Sequence, residues 1–341
     1  MDDVVRFNGI DGYSSIIDGI WLPYNSVSMR KDVSLRMKQV NNLVFTGLTE
    51  GSDGGEIRFL PLRSIFDAER SIMDSYDGIH VVNHKVEICN EVYYTSKLEG
   101  SHTTIARTIE LHDGQPVNKD DYFSEMMVKQ GFEATKYMNV HGNRLDMDIL
   151  LNMWNILVDG CCSNQGIRGD RFRIGDVEVG NHRGFSPDKI EDAMSDWIDY
   201  YNSDVMNDHP FIKASLLHFT YEKIHPFCDG NGRSGRLLAT NYLINVGLDK
   251  CKAIAFSKQI ANTISQYGTA FVESENVECD CTPFVSYILD VYDTTFYDVL
   301  EEQRSLRTQY KDISIIKELD NPVCDFQDES VNEITWTYDD V

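Results

Sequence analysis

The stretch HPFCDGNGRSGR, His225 to Arg236, decides how the chain reads. An apolar segment precedes it, with Ile212, Leu216 and Phe219 at helical spacing, and another follows with Leu237, Leu238 and Tyr242. The stretch is therefore the loop of a helix-loop-helix. Gly230 and Gly232 carry no Cβ, so successive backbone N–H groups can converge on one concavity at the start of the second helix, where an anion such as phosphate is favoured. Arg233 and Arg236, three residues apart, can both reach back over that helix start. Asp229 offers the hard oxygen donors that Mg²⁺ takes alongside phosphate and water. His225 is the candidate general base, since histidine titrates near neutrality. Cys228 is a rival nucleophile in the same loop.

Outward from this loop the pattern is helical. Val82, Val86, Cys89, Val92 and Tyr93 recur at spacings of three and four and predict a helix from His80 towards Leu98, stopped by Gly100. Further helices are predicted over Tyr122 to Tyr137, Met147 to Val158, Pro187 to Tyr201, Pro210 to Ile224 and Arg233 to Val246, several opened by proline or an acidic first turn. One segment breaks the rhythm: in FRIGDVEVGNHRGF, Phe172 to Phe185, Ile174, Val177 and Val179 flank a Gly175/Asp176 turn and predict a short β-hairpin placed as a flap. The fold class is mainly α-helical with one small hairpin.

The 341 residues, 42% hydrophobic, can bury one large core plus an accessory region. Lys+Arg total 31 against 55 Asp+Glu, a formal charge of -24, which argues against a general nucleic-acid binder. The eight cysteines are scattered without a CxxC pair, the N-terminus has no apolar signal core, and no apolar run reaches the roughly 20 residues that span a bilayer. The expectation is a cytoplasmic chain with no membrane anchor. Beyond Pro322 the chain is acidic, with neither Lys nor Arg, as a solvated tail is.

The loop resembles the signature of the Fic family, HxFx(D/E)GNGRxxR, at every specified position. The similarity extends over about residues 85 to 300, through the surrounding helices, the hairpin and the segment CTPFVSYILD. It implies an all-α Fic fold with a hairpin flap, and transfer of AMP from ATP to a Ser, Thr or Tyr hydroxyl of a protein. Carried over by position, His225 is the base. Asp229 holds Mg²⁺ against the α- and β-phosphates. The amides of Gly230 to Gly232 with the Asn231 side chain meet the α-phosphate, Arg236 clasps the γ-phosphate, and Arg233 is a further nucleotide contact. The flap, with Ile174, Val177 and Val179, aligns a target segment by strand addition. TSKLEG, Thr95 to Gly100, is similar to the family's inhibitory pattern (S/T)xxxE(G/N), which implies that Glu99 pairs with Arg236 and blocks the γ-phosphate site.

The implied partners are ATP and a protein bearing an accessible hydroxyl, with a homo-oligomer possible. The implied layout is an accessory region over 1–80, an inhibitory helix and link over 81–104, a catalytic domain over 105–300, and a helix end with acidic tail over 301–341. Four other readings stay open from sequence. They are removal of AMP with Glu99 as base for water, transfer of another phosphorus-bearing group, a non-catalytic nucleotide sensor, and a cysteine hydrolase working through Cys228.

Overall fold

Apolar residues at three- and four-residue spacing need a common face to bury, and in the computed structural model they find it among eleven helices formed by the described residues. The structure describes residues 44–49, 56–60, 63–80, 84–179, 182–275 and 280–309. In order these are β1 (Val44–Thr49), β2 (Glu56–Phe59), α1 (Arg63–Gly78), α2 (His84–Leu98), α3 (Ile105–His112), α4 (Tyr122–His141), α5 (Met147–Val158), β3 (Glu178–Val179), β4 (His182–Arg183), α6 (Ile190–Asn202), α7 (Pro210–Ile224), α8 (Asn231–Asn245), α9 (Phe256–Asn262), α10 (Ile264–Glu275) and α11 (Thr282–Gln309), with short 3₁₀ turns between some of them. The two pairs β1–β2 and β3–β4 are antiparallel.

α7 is the axis. Every residue from Phe211 to Glu222 is buried, as is Ile224, so this helix is covered all round, unlike a surface helix with one apolar stripe. Phe211 packs its ring among Tyr292 and Phe296 of α11, and Phe219 among Phe271 of α10 and Phe284 of α11. Proline opens α7 at its first turn. The backbone N–H groups of Phe211 and Ile212 both donate to Glu69 Oε1 from α1, at 2.9 and 3.1 Å. A helix start would otherwise leave these donors unsatisfied in the core. Residues 56–60 are tied in equally: Cys281 N donates to Arg58 O at 2.9 Å and Leu60 N to Thr282 Oγ1 at 2.8 Å. Residues 56–60 and α1, within the stretch read from sequence as an accessory region, are thus bonded to elements of the main core. The described residues before 300 lie in one compact unit, and Leu300 begins a second.

The predicted helices lie close to where the periodicity puts them, with α8 opening two residues early because Gly230, at φ 77°, serves as its N-cap. Two details differ. On α2 the buried row is Cys89, Val92 and Ser96, while Val86 is 41% exposed and Val82 lies outside the described residues. The hairpin turns later than Gly175/Asp176: Glu178 pairs with Arg183, Val179 with His182, and Gly184 N donates to Val177 O at 3.2 Å. Ile174 instead donates its N–H to Ile167 O at 2.9 Å, and its side chain is 69% exposed. Gly175/Asp176 therefore lies ahead of the paired residues, not between them. Among the described residues no helix is long and apolar enough to cross a membrane.

Candidate active site

α7 ends at His225, whose backbone enters the left-handed region at φ 51°. A non-glycine residue held there is uncommon, and the surroundings hold it firmly. Its N–H caps α7 on Tyr221 O at 3.0 Å, and its carbonyl accepts from Arg173 Nε at 2.7 Å. Arg173 is 2% exposed and also donates to Gly175 O at 2.7 Å and to Phe185 O. Its own N–H donates to Pro226 O at 3.0 Å. One buried guanidinium therefore pins the flap to the start of the signature loop, although burial lowers its pKa. Gly184 allows the close approach, since a Cβ there would sit 2.8 Å from Arg173 Nη2 and 3.1 Å from His225 Cβ.

The loop between His225 and α8 is clamped from inside. Asn231 accepts from Phe227 N at 2.9 Å on Oδ1 and donates from Nδ2 to Phe227 O at 2.8 Å. Both ends of its side-chain amide thus take part in shaping the loop. The Phe227 ring stacks on Trp154, centroids 4.2 Å apart and planes within 7°, and Trp154 Nε1 donates to Asp229 O at 2.9 Å. Arg233 also turns inward. At 2% exposed, it donates to Leu157 O at 3.3 Å and lies 3.4 Å from Asp229 Oδ1. Of the two arginines expected to reach back over the helix start, Arg233 lies under the loop and Arg236 at the cradle, and both are buried.

Asp229 stands at the mouth. Oδ2 accepts from Ser163 N and Oγ, both at 2.6 Å, and Oδ1 from Gly230 N at 2.6 Å. These bonds, with the longer one from Arg233 Nη2, hold both carboxylate oxygens in place. Among the described residues there is no cluster of three or more His, Cys, Asp or Glu able to hold a metal alone.

The cradle itself holds a carboxylate. A Cβ on Gly232 would lie 2.2 Å from Glu99 Oε1, so Glu99 occupies the space over the α8 N-terminus that the missing side chain opens. Arg236 Nη2 donates to Glu99 Oε1 at 2.8 Å, Arg236 Nε to Thr95 Oγ1 at 2.8 Å, and Arg236 Nη2 to Thr95 O at 3.3 Å. Burial works against the Arg236 charge, but the Glu99 carboxylate, Tyr267 and Glu222 more than offset it and raise its pKa. Glu99 reaches the site because it directly follows Leu98, the last residue of α2, and precedes a left-handed Gly100 at φ 91°. Ser101 N donates to Ser96 O at 3.0 Å and Gly100 N to Lys97 O at 3.1 Å, the double bond pattern of a glycine-terminated helix. Thr95 and Glu99, four apart, both address Arg236.

Arg173, Trp154, Ser163 and Glu222 escaped the sequence reading. None lies in a motif, and only Glu222, one turn before His225, had a positional signal. Glu222 Oε2 lies 4.0 Å from His225 Nδ1, and Glu222 Oε1 lies 3.8 Å from His218 Nε2. Burial pushes the Glu222 carboxyl up to about 7, with Arg236 opposing and Glu99 adding to the rise. Burial, then Arg236, pushes His218 down to about 3.

Residues 144–243 match the Fic/DOC family. The "Protein adenylyltransferase Fic" of Drosophila mojavensis is 30% identical over 240 residues, covering 65% of this chain and 44% of that protein. Its namesake in Aedes aegypti is 27% identical over 241 residues, 70% and 46% of the two chains. This chain spans under half the length of these curated relatives. In fold it is similar to a Fic family protein from Desulfovibrio desulfuricans, TM-score 0.62 at 21% identity, covering 70% of this chain and 75% of that one. It is also similar to Fic-1 (residues 134–508) of C. elegans, TM-score 0.59 at 18% identity over 71% and 73% of the chains.

Proposed function

We propose that this chain, which belongs to the Fic/DOC family, is a protein adenylyltransferase that moves AMP from ATP onto a Ser, Thr or Tyr hydroxyl, its own included, and is restrained by Glu99. The observation that carries this reading is the Glu99 carboxylate seated over Gly232 and bonded to Arg236. It is a built-in stand-in for an anionic ligand, so the groups around it are those that would receive phosphate.

In the active state Glu99 leaves and Arg236 takes the γ-phosphate with the charge-assisted bonds it now gives Glu99. The backbone N–H groups at the start of α8 face the α-phosphate and stabilise the charge that grows there during transfer. His225 takes the proton of the incoming hydroxyl. The new O–P bond forms at the α-phosphorus as the α–β bridging bond breaks and diphosphate departs. Asp229, a hard oxygen donor at the mouth of the loop, is the residue that would hold a Mg²⁺. When bound, that ion offsets charge on the leaving diphosphate. Arg233 and Asn231 contribute by holding the loop's shape. The flap strands β3, with Val179 and preceded by Val177, and β4 offer an edge on which an extended target segment can lie. Ile174, exposed beside it, is a side-chain contact for that segment.

The test uses ATP labelled on the α- or the γ-phosphate, with Mg²⁺, and follows label on protein. Glu99→Gly is expected to incorporate α-label, and Glu99→Gly/His225→Ala none. Transfer of γ-label alone makes the protein a kinase. Release of AMP from a pre-modified protein, without forward transfer, makes Glu99 the base of the reverse reaction.

A further inference from the structure

We propose that Glu222 is a positioning residue for His225, holding the Nδ1 side of the imidazole so that Nε2 is presented unprotonated to the target hydroxyl, and that the withdrawal of Glu99 arms it. The proposal rests on the reading of His225 as the base.

The placement comes from the chain itself. Glu222 and His225 are three residues apart at the end of α7, on one face, and Glu222 Oε2 stands 4.0 Å from His225 Nδ1. That is an ion-pair distance, one small side-chain adjustment longer than a hydrogen bond. The other oxygen, Glu222 Oε1, is buried and has no hydrogen-bond partner. Its space is kept open by Gly235, where a Cβ would lie 2.8 Å away. A buried carboxyl oxygen without a partner costs stability, and a Leu or Met would pack in its place without that cost. A functional demand accounts for its presence where packing does not.

The groups facing Glu222 explain when it acts. His218 and Tyr221 approach from α7 itself, Arg236 from α8, Glu99 from just past the end of α2 and Tyr267 from α10. His218 is held neutral by burial, so it contributes no opposing charge near neutral pH. Of the two charged neighbours, Arg236 favours the ionised carboxylate and Glu99 disfavours it. Removing Glu99 takes away one of the two influences that raise the Glu222 carboxyl, burial being the other and larger one, and so favours the ionised form beside Arg236. The ionised group accepts a hydrogen bond from Nδ1–H, which fixes the tautomer. When Nε2 takes the hydroxyl proton, the imidazolium that forms is balanced by a carboxylate already in place. No proton passes to Glu222.

Two readouts test this. In a Glu99→Gly background, the rate of AMP self-transfer is followed from about pH 6 to 9 for Glu222, Glu222→Gln and Glu222→Asp. The glutamine variant is expected to lose about 10- to 100-fold in maximal rate. Its half-saturating ATP concentration should change less than about twofold, and its acidic limb should move to lower pH because no carboxylate favours the imidazolium. The aspartate variant should recover part of the rate. Separately, ¹⁵N NMR of the histidine rings, with the His225 signal assigned by its loss in His225→Ala, is expected to find the Nδ1–H tautomer in the otherwise unmutated Glu99→Gly chain. Equal rates for Glu222→Gln, or an Nε2–H tautomer at His225, overturn the proposal. If Glu99→Gly transfers no AMP at all, the AMP-transfer reading fails, and the tautomer still decides the role of Glu222 without needing any Glu222 variant to fold.

Discussion

At Asn231 one side chain sets the shape of the whole loop, through a reciprocal pair of bonds to Phe227 N and O. Asn231→Ala leaves both backbone groups unsatisfied in a buried place and is expected to lower stability by about 1–3 kcal/mol. Chemical denaturation measures this, and the AMP-transfer rate should fall with it. Two titrating residues beneath the loop pull stability in opposite directions with pH. His218 falls from its ordinary 6.5 to about 3, so the unfolded chain binds the extra proton between those values and stability is lost as pH drops through that window. Glu222 rises from 4.5 to about 7, so the folded chain binds the extra proton and stability declines as pH rises through that window. Between about 4.5 and about 6.5 the two slopes oppose each other. Glu222→Gln should therefore steepen the gain of stability with rising pH there, read from denaturation midpoints at several pH values. An unchanged slope would mean that the buried carboxyl does not titrate in that range.

At the scale of elements, the flap and the signature loop are one mechanical piece, because Arg173 bonds to carbonyls on both sides. Arg173→Met keeps the aliphatic stem but removes these bonds. Amide exchange at Gly184 and Phe185 is expected to speed up. Transfer to a protein target should drop more than ATP affinity does, since the flap meets the target and the cradle meets the nucleotide. Equal losses in both would instead indicate general collapse of the loop. This linkage was invisible in sequence: Arg173 sits in an unremarkable FRIGD string, and its partners are carbonyls of residues 2 to 52 positions away. The hairpin was misplaced for a related reason. Gly175/Asp176 has turn chemistry, but Arg173 and the Ile167 carbonyl hold that backbone in another course. By contrast the Glu99 contact was legible, because Thr95, Glu99 and Gly100 carry a local helix-end pattern and Arg236 a fixed place in the loop.

For the molecule as a whole, the helices were readable from periodicity while the way α1 joins the core was not. Glu69 reaches across 142 sequence positions to cap α7 at Phe211, and it also meets His209 Nδ1 at 2.8 Å. Long-range caps leave no local pattern, which is why the first 80 residues read as accessory. Glu69→Ala strips the buried start of α7 of its acceptor and should cost about 1–3 kcal/mol, lowering the melting temperature of the whole core in one transition. A low-temperature transition of α1 alone would show instead that it is a separate unit.

The restraint by Glu99 is the central claim, and the initial rate of AMP transfer with saturating ATP and Mg²⁺, wild type against Glu99→Gly, tests it most directly. Removing a partner of a buried arginine frees the cradle for phosphate, and a rate at least about tenfold higher is expected in the variant, equivalent to roughly 1.4 kcal/mol. Equal rates in the two proteins, both abolished by His225→Ala, would contradict the restraint while leaving the transfer reaction standing.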